Sequence, residues 1–473
     1  LQVLVDGKPN QMLSSNPSEI FKVMPASSVK NIEVITNPGV KYDAEGVGGV
    51  LNITTNSEVT GGANIADGQY GTVRVQGGSR GFGGSVFYSA QKGKLSASVN
   101  ASANMNYSPG AVTDEERIQE VEDGENITRN HSESEMKTPM AMVDLSLGYE
   151  IDDQNSISVT AGYMHFGNSS EGINTMDMVL ADGTELGYEG NSQMKNDRNS
   201  ISASADYVHT WEDEPARSLV VSYQFSAAPT VNNNSNSYGG AVVPGFDLTD
   251  RKTVGGNNSV NHIGQVDFST PLGLSSTINT GLKLQYRSNS SQQTNYLWDG
   301  NGFVETALGS VDYHFRKTIG AAYLEYDGHF GSFGVKSGLR YEYTWQNVEY
   351  LEGNGEDFRL NYGNLVPSAS LQWNINKSQN IGLSYNMRIS RPGITYLNPY
   401  VDITNPFSIS YGNTDLKTEL THNVSLVYNI YTPKFMMNNT LRYSLADNGI
   451  AQYSFYDADN VLNTTYGNIV RNQ

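Results

Sequence analysis

Leu383-Ser384-Tyr385-Asn386-Met387-Arg388-Ile389 opens the stretch that decides the fold. It continues through Ser390-Arg391-Pro392-Gly393, Leu397-Asn398-Pro399-Tyr400, Asn405-Pro406-Phe407 and Gly412-Asn413-Thr414-Asp415-Leu416-Lys417-Thr418-Glu419. Ile381, Leu383, Tyr385, Met387 and Ile389 alternate with polar residues on the way in, and Val424, Leu426, Tyr428 and Ile430 do so on the way out. A period of two puts each apolar series on one face of a β-strand. The connection is too long for a hairpin turn and too rich in Pro and Asn for a helix.

The same texture extends in both directions. From Gly61 onward, alternating strands are joined by short connectors that recur every 45–60 residues or so: 91–94, 152–155, 212–216, 271–274, 329–332, 376–379 and 431–434. No side-chain motif repeats with that period, so it is not a solenoid or propeller signature. What recurs is one tight end and one loose end, as in an up-and-down barrel. Charges obey the alternation. Lys283 and Arg287 oppose Leu282, Leu284 and Tyr286, while Lys336, Arg340 and Glu342 oppose Leu339, Tyr341 and Tyr343. Arg442 opposes Leu441 and Tyr443, and Arg388 opposes the Leu383 series. A soluble sandwich also alternates, but it must bury its apolar faces against each other. His165 and His209 fall on the apolar parity and are expected near strand ends. Tyr207, Trp211, Tyr343, Trp345 and Trp373 are expected as aromatic girdles.

Composition agrees. Hydrophobic residues make up 37% of the 473, with no cysteine, and no apolar run reaches the ~18 residues of a transmembrane helix. The net charge of −19 argues against nucleic acid, whose phosphates require basic patches. The seven histidines show no ligand spacing, no nucleophile elbow occurs, and no cofactor motif is present. The acidic run 113–123 and the Asn/Ser run 232–238 are expected as solvated loops. The Gly46-x-Gly48-Gly49 cluster opens a strand rather than a helix, which excludes a nucleotide cradle.

The N-terminal sixty residues read as a small β-α-β-β unit: Val3-Leu4-Val5-Asp6-Gly7-Lys8-Pro9, a short helix over Pro17–Met24, Asn31-Ile32-Glu33-Val34-Ile35-Thr36, and Val50-Leu51-Asn52-Ile53-Thr54-Thr55. With Asn37-Pro38 and Tyr42-Asp43-Ala44-Glu45-Gly46, this unit resembles the second half of the plug of TonB-dependent outer-membrane receptors. The stretch at Arg391, Pro392, Asn398, Pro399, Gly412, Asn413, Leu416, Lys417 and Glu419 resembles the barrel signature of their Bacteroidota-type branch. Thr414 and Thr418 depart from it, standing where that signature has proline.

The expected fold is therefore an all-β membrane protein: an antiparallel up-and-down transmembrane β-barrel, residues 57–473, preceded by a small α+β plug fragment, residues 1–56. About sixteen strands can be traced after residue 60, against about twenty-two in a complete barrel of this kind. The chain opens without an initiator Met and ends on Gln473 rather than an aromatic, so it reads as a piece of a longer one. The resemblance implies a receptor that binds a scarce nutrient, a small or oligomeric ligand, at the cell surface. Its partners would be outer-membrane lipids and lipopolysaccharide, the TonB energising complex acting through an upstream segment, and in some cases a surface lipoprotein. The alternative is a passive or adhesive barrel, or surface antigen, whose plug never moves. Lys30, Glu33 and Glu45 are candidates for plug contacts with the barrel, and Arg340, Arg388 and Arg391 for their counterparts, in pairs that a wet lumen would keep weak.

Overall fold

A computed structural model describes residues 2–5, 8–9, 29–35, 39–40, 43–45, 50–55, 68–121, 124–242, 249–353, 355–397, 402–405, 408–456 and 462–472. The helix expected over Pro17–Met24 and the signature residues Asn398 and Pro399 lie outside them.

Two sheets form. In the first, Gln2–Val5 pairs parallel with Val50–Thr55, and Val29–Ile35 flanks the latter antiparallel. Lys8–Pro9 closes the other edge. The second is a barrel, beginning at Gly68–Gly78 and ending at Leu462–Asn472. It has sixteen long strands, with two short ones, Asp402–Asn405 and Ser408–Ser410, inside the signature loop.

All seven short connectors are turns between adjacent strands. Gly273 and Gly331 take the left-handed φ that such turns require, at 71° and 61°.

Exposure alternates in the opposite sense to a soluble protein. In Phe333–Glu352, Leu339, Tyr341 and Trp345 are about half exposed (47%, 48% and 48%), whereas Arg340, Glu342, Thr344 and Gln346 are buried. Leu282, Leu284, Leu365, Leu371 and Leu441 are likewise exposed. An oily outer face and a polar inner one are what a bilayer requires of a strand. Phe333 stacks on Trp373 at one edge of the oily band, and Tyr343 packs on Trp345 at the other. The twelve steps between Phe333 and Trp345 span ~40 Å along the strand, which a tilt of ~40° projects to ~30 Å, the thickness of the hydrocarbon.

Two expectations change. The runs 113–123 and 232–238 belong largely to strands, Leu95–Val121 and Glu214–Val242, rather than loops. Leu95–Val121 has 27 residues, where ~10 suffice to cross the membrane, so the remainder forms a hairpin ribbon in water. There the backbone is still paired, Asp114 opposite His131 and Asn232 opposite Asn196, but neither face meets lipid, so the alternation disappears. For the same reason His165, Tyr343 and Trp345 lie well inside their strands although they mark the edge of the oily band.

Leu339→Arg, on the outer face near the middle of the band, should cost about 2–4 kcal/mol in refolding into lipid vesicles. Ser370→Arg, on the inner face of the neighbouring strand, should stay within about 1 kcal/mol. Equal costs would contradict the assignment of faces.

Candidate functional site

The inner wall holds a short segment from the N-terminal part of the chain, Gly39–Val40 and Asp43–Glu45. The wall residues involved come from Ser276–Trp298, Phe303–Phe330, Phe333–Glu352, Phe358–Asn376 and Gln379–Ser390, and from Arg391 just beyond.

Their starting point is a buried cluster within the wall itself. Arg340 Nε donates to Glu342 Oε1 at 2.5 Å, Arg391 Nη2 donates to Glu342 Oε2, and Arg391 Nε donates to Thr344 Oγ1 at 3.1 Å. Arg340 and Glu342 are each 2% exposed. Ion pairs this deep are strong constraints, since removing one partner strands the other at a cost of about 3–5 kcal/mol.

The segment completes this cluster. Lys283 Nζ lies 2.5 Å from Asp43 Oδ1, and Arg340 Nη2 lies 3.3 Å from the same oxygen. Arg388 Nη1 donates to the Asp43 carbonyl at 2.7 Å, and Arg340 Nη1 to the Val40 carbonyl at 3.4 Å. Arg391 Nη1 donates to Glu45 Oε2 at 3.0 Å, and the Ala44 amide donates to Glu342 Oε1 at 3.3 Å.

Backbone geometry explains why the segment sits here. Gln379–Ser390 pairs with Phe358–Asn376 only as far as Asn386 opposite Ser368, while its other edge stays paired out to Ser390 opposite Glu419. Ile389 N is left on the unpaired edge and donates to the Ala44 carbonyl at 3.0 Å, with Glu45 and Ile389 forming a parallel bridge. Ala44, Val366, Met387 and Ile389 close over the gap as an apolar cluster. Two glycines set the fit. A Cβ on Gly338 would lie 2.5 Å from Val40 Cγ2, and one on Gly39 would lie 2.5 Å from Glu325 Oε2.

Burial raises the Asp43 carboxyl's affinity for its proton, but Lys283 and Arg340 overcome this and hold it well below the usual carboxylate range. Burial opposes ionisation of Glu45 too, and Lys317, Arg391 and Arg287 together prevail, leaving it lowered. The Glu45 side chain remains 44% exposed, so water screens its pair with Arg391.

The residues singled out from sequence thus fall in different places. Glu45, Arg340, Arg388 and Arg391 meet in one site. Glu33 is exposed and has no ion-pair partner among the described residues, and the side chain of Lys30 lies outside them. Among the described residues, the weak, wet pairing expected between segment and wall is found at Glu45, whereas the Arg340–Glu342–Arg391 cluster beneath it is dry. Asp43, Lys283 and Glu342 were missed as contact residues. Asp43 was legible only as part of a motif, and the other two only as charges on the inner parity.

The rest of the signature loop serves the wall. Pro392 and Leu416 are buried and Gly412 half-buried. Asn413 Nδ2 donates to the Tyr466 carbonyl at 2.9 Å, Lys417 N donates to Asn468 Oδ1 at 2.8 Å, and Glu419 Oε1 accepts from Ile450 N at 2.5 Å.

Replacing Asp43→Asn together with Glu45→Gln spares the wall's own pairs. It removes charge-assisted bonds worth about 1.5–3 kcal/mol at Asp43 and less at the wetter Glu45. Single-channel recordings should show a folded barrel with at least about a tenfold rise in passive current. Because both carboxylates titrate below their ordinary values of 3.8 and 4.5, their contribution is complete above those values and is lost as pH falls through the lowered ones. The current should therefore hold steady from about pH 8 to about pH 5 and rise only well below about pH 4. A rise near neutrality would contradict this.

Residues 213–473, more than half of the chain, match the model of the outer membrane protein beta-barrel family. No curated protein matches the chain in sequence. Among solved structures, a mutant of the ferric enterobactin receptor of Pseudomonas aeruginosa in complex with enterobactin is similar at 16% identity and a TM-score of 0.61, covering 99% of this chain and 69% of that one. The siderophore receptor PirA from Acinetobacter baumannii gives 15% and 0.56, covering 98% and 67%. A double mutant of the Serratia marcescens hemophore receptor HasR, with its hemophore HasA and heme, gives 12% and 0.57, covering 99% and 69%. At these identities the likeness is one of fold. With its oily outer face and polar inner wall, the chain resides in the outer membrane of a Gram-negative bacterium and belongs to the outer membrane protein beta-barrel family.

Proposed function

We propose that this chain is the greater part of a TonB-dependent receptor of the Bacteroidota-type branch, which imports a scarce nutrient through a plugged barrel using energy from the TonB complex. In this reading residues 1–56 are the second half of the plug and residues 57–473 the barrel. The observation that carries it is the docking of Asp43–Glu45 on the inner wall through Lys283, Arg340, Arg388 and Arg391. A segment held by directional bonds to an otherwise polar lumen obstructs it. Its partners are side chains and one strand edge, so a pull can break them one after another.

The fold-mates are named for enterobactin, siderophores and a hemophore, which puts iron chelates first among the nutrient classes, ahead of cobalamin, glycan fragments and peptides. A surface lipoprotein that delivers the ligand is compatible with the wide ribbons above the membrane. The role is binding and transport rather than catalysis.

The test is growth of cells deleted for the complete gene, with each nutrient class in turn as the limiting source. Growth on one class should fail, and removing the energising complex should reproduce that failure. Uptake that persists without the energising complex would favour a passive barrel. Loss of attachment with no nutritional defect would favour an adhesive one.

A further inference from the structure

Beside the docked segment, the inner wall carries a row of hydrogen-bond donors beyond those that hold Asp43. Arg287 lies opposite Lys317, and Lys317 opposite Gln346, in register across three neighbouring strands. All three share the inner parity, since the adjacent Tyr286 and Trp345 are exposed on the outer face. Neighbouring strands lie ~4.8 Å apart, so the three donors sit on a line about 10 Å long.

Gln346 supplies an independent observation. The residue is 3% exposed, and its Nε2 donates to nothing among the described residues. A buried amide donor in that condition calls for an acceptor. The charges of Arg287 and Lys317 act on the Glu45 carboxylate, which is partly exposed and bonded to Arg391. Around them stand Lys283, Arg340, Arg388 and Arg391, faced by Asp43, Glu45 and Glu342, within a chain whose net charge is −19. Cations are concentrated here against the trend of the whole molecule. Every element of the row donates, and donors converging at this spacing suit an oxyanion.

We propose that Arg287, Lys317 and Gln346 form an oxyanion subsite on the inner wall, which takes a carboxylate or phosphate group of the incoming solute and for which Glu45 is the built-in competitor. An arriving oxyanion shares Arg287 and Lys317 with Glu45, leaving Glu45 with Arg391 and weakening one hold on the docked segment. Occupancy and loosening are thereby coupled. The inference rests on the receptor reading for its purpose, though the binding itself can be measured without transport.

The probes are citrate and inorganic phosphate, titrated calorimetrically into the complete purified protein in detergent, with heat-dependent gel mobility reporting that each variant is folded. At least one probe should bind saturably. Arg287→Gln with Lys317→Gln should weaken it at least about tenfold, and Gln346→Leu should weaken it several-fold with the cations intact. Glu45→Gln should tighten it, a direction that a merely structural Glu45 would not give. Binding by citrate alone assigns the subsite to carboxylates, and by phosphate alone to phosphates. No binding of either up to about 10 mM, or equal affinity in all folded variants, overturns the proposal. Binding with no nutritional defect on deletion would leave the subsite standing and refute the receptor reading. A nutritional defect without binding would do the reverse.

Discussion

Charge cannot face hydrocarbon, and the rest of the structure depends on that constraint. Arg340 lies between Leu339 and Tyr341, and one step of the pleat separates a guanidinium that is almost wholly buried from side chains half open to the outside. Every strand that crosses the membrane must put its ionic groups inward. The inner wall then becomes crowded with charges that need partners. Glu342 answers Arg340 and Arg391 from within the wall, whereas Lys283 and Arg388 find theirs on the N-terminal segment. The constraint that makes the barrel also makes the dock.

The dock combines contacts of unequal strength. The wall's own cluster is dry and expensive to disrupt, so it acts as a fixed platform. Asp43 is partly sheltered and has two cations, while Glu45 is wet and correspondingly weak. Shape adds specificity that charge lacks: Val40 fills the notch left by Gly338, and Ala44 caps a strand edge that the wall leaves unpaired. Such a contact is secure at rest and can yield in steps under force.

Much of the architecture was legible because lipid enforces a strict period of two. Leu282, Leu339 and Leu441 marked the outer face, and Lys283, Arg340 and Arg442 the inner. The signal vanished where lipid does: the ribbon strands through Asp114 and Asn232 looked like loops, since a hairpin with water on both faces has no reason to alternate. The site was half legible. Glu45 and the three arginines stood out as charges in matched motifs, but nothing local distinguishes Glu33, which is exposed, from Asp43, which is the hub. That difference depends on where Gln379–Ser390 parts from its neighbour, a register that depends on the folded barrel and not on any stretch of sequence.

The most direct measurement of the docked arrangement is a disulfide between Val40→Cys and Gly338→Cys. The Cβ built on Gly338 lies 3.3 Å from Val40 Cβ, close to disulfide geometry, and the chain has no other cysteine to compete. Mild oxidation of the complete protein in outer-membrane vesicles should form this bond nearly quantitatively, leaving neither introduced thiol open to alkylation. If both thiols stay free and alkylate readily in the folded protein, the segment does not rest on the inner wall, and the account fails.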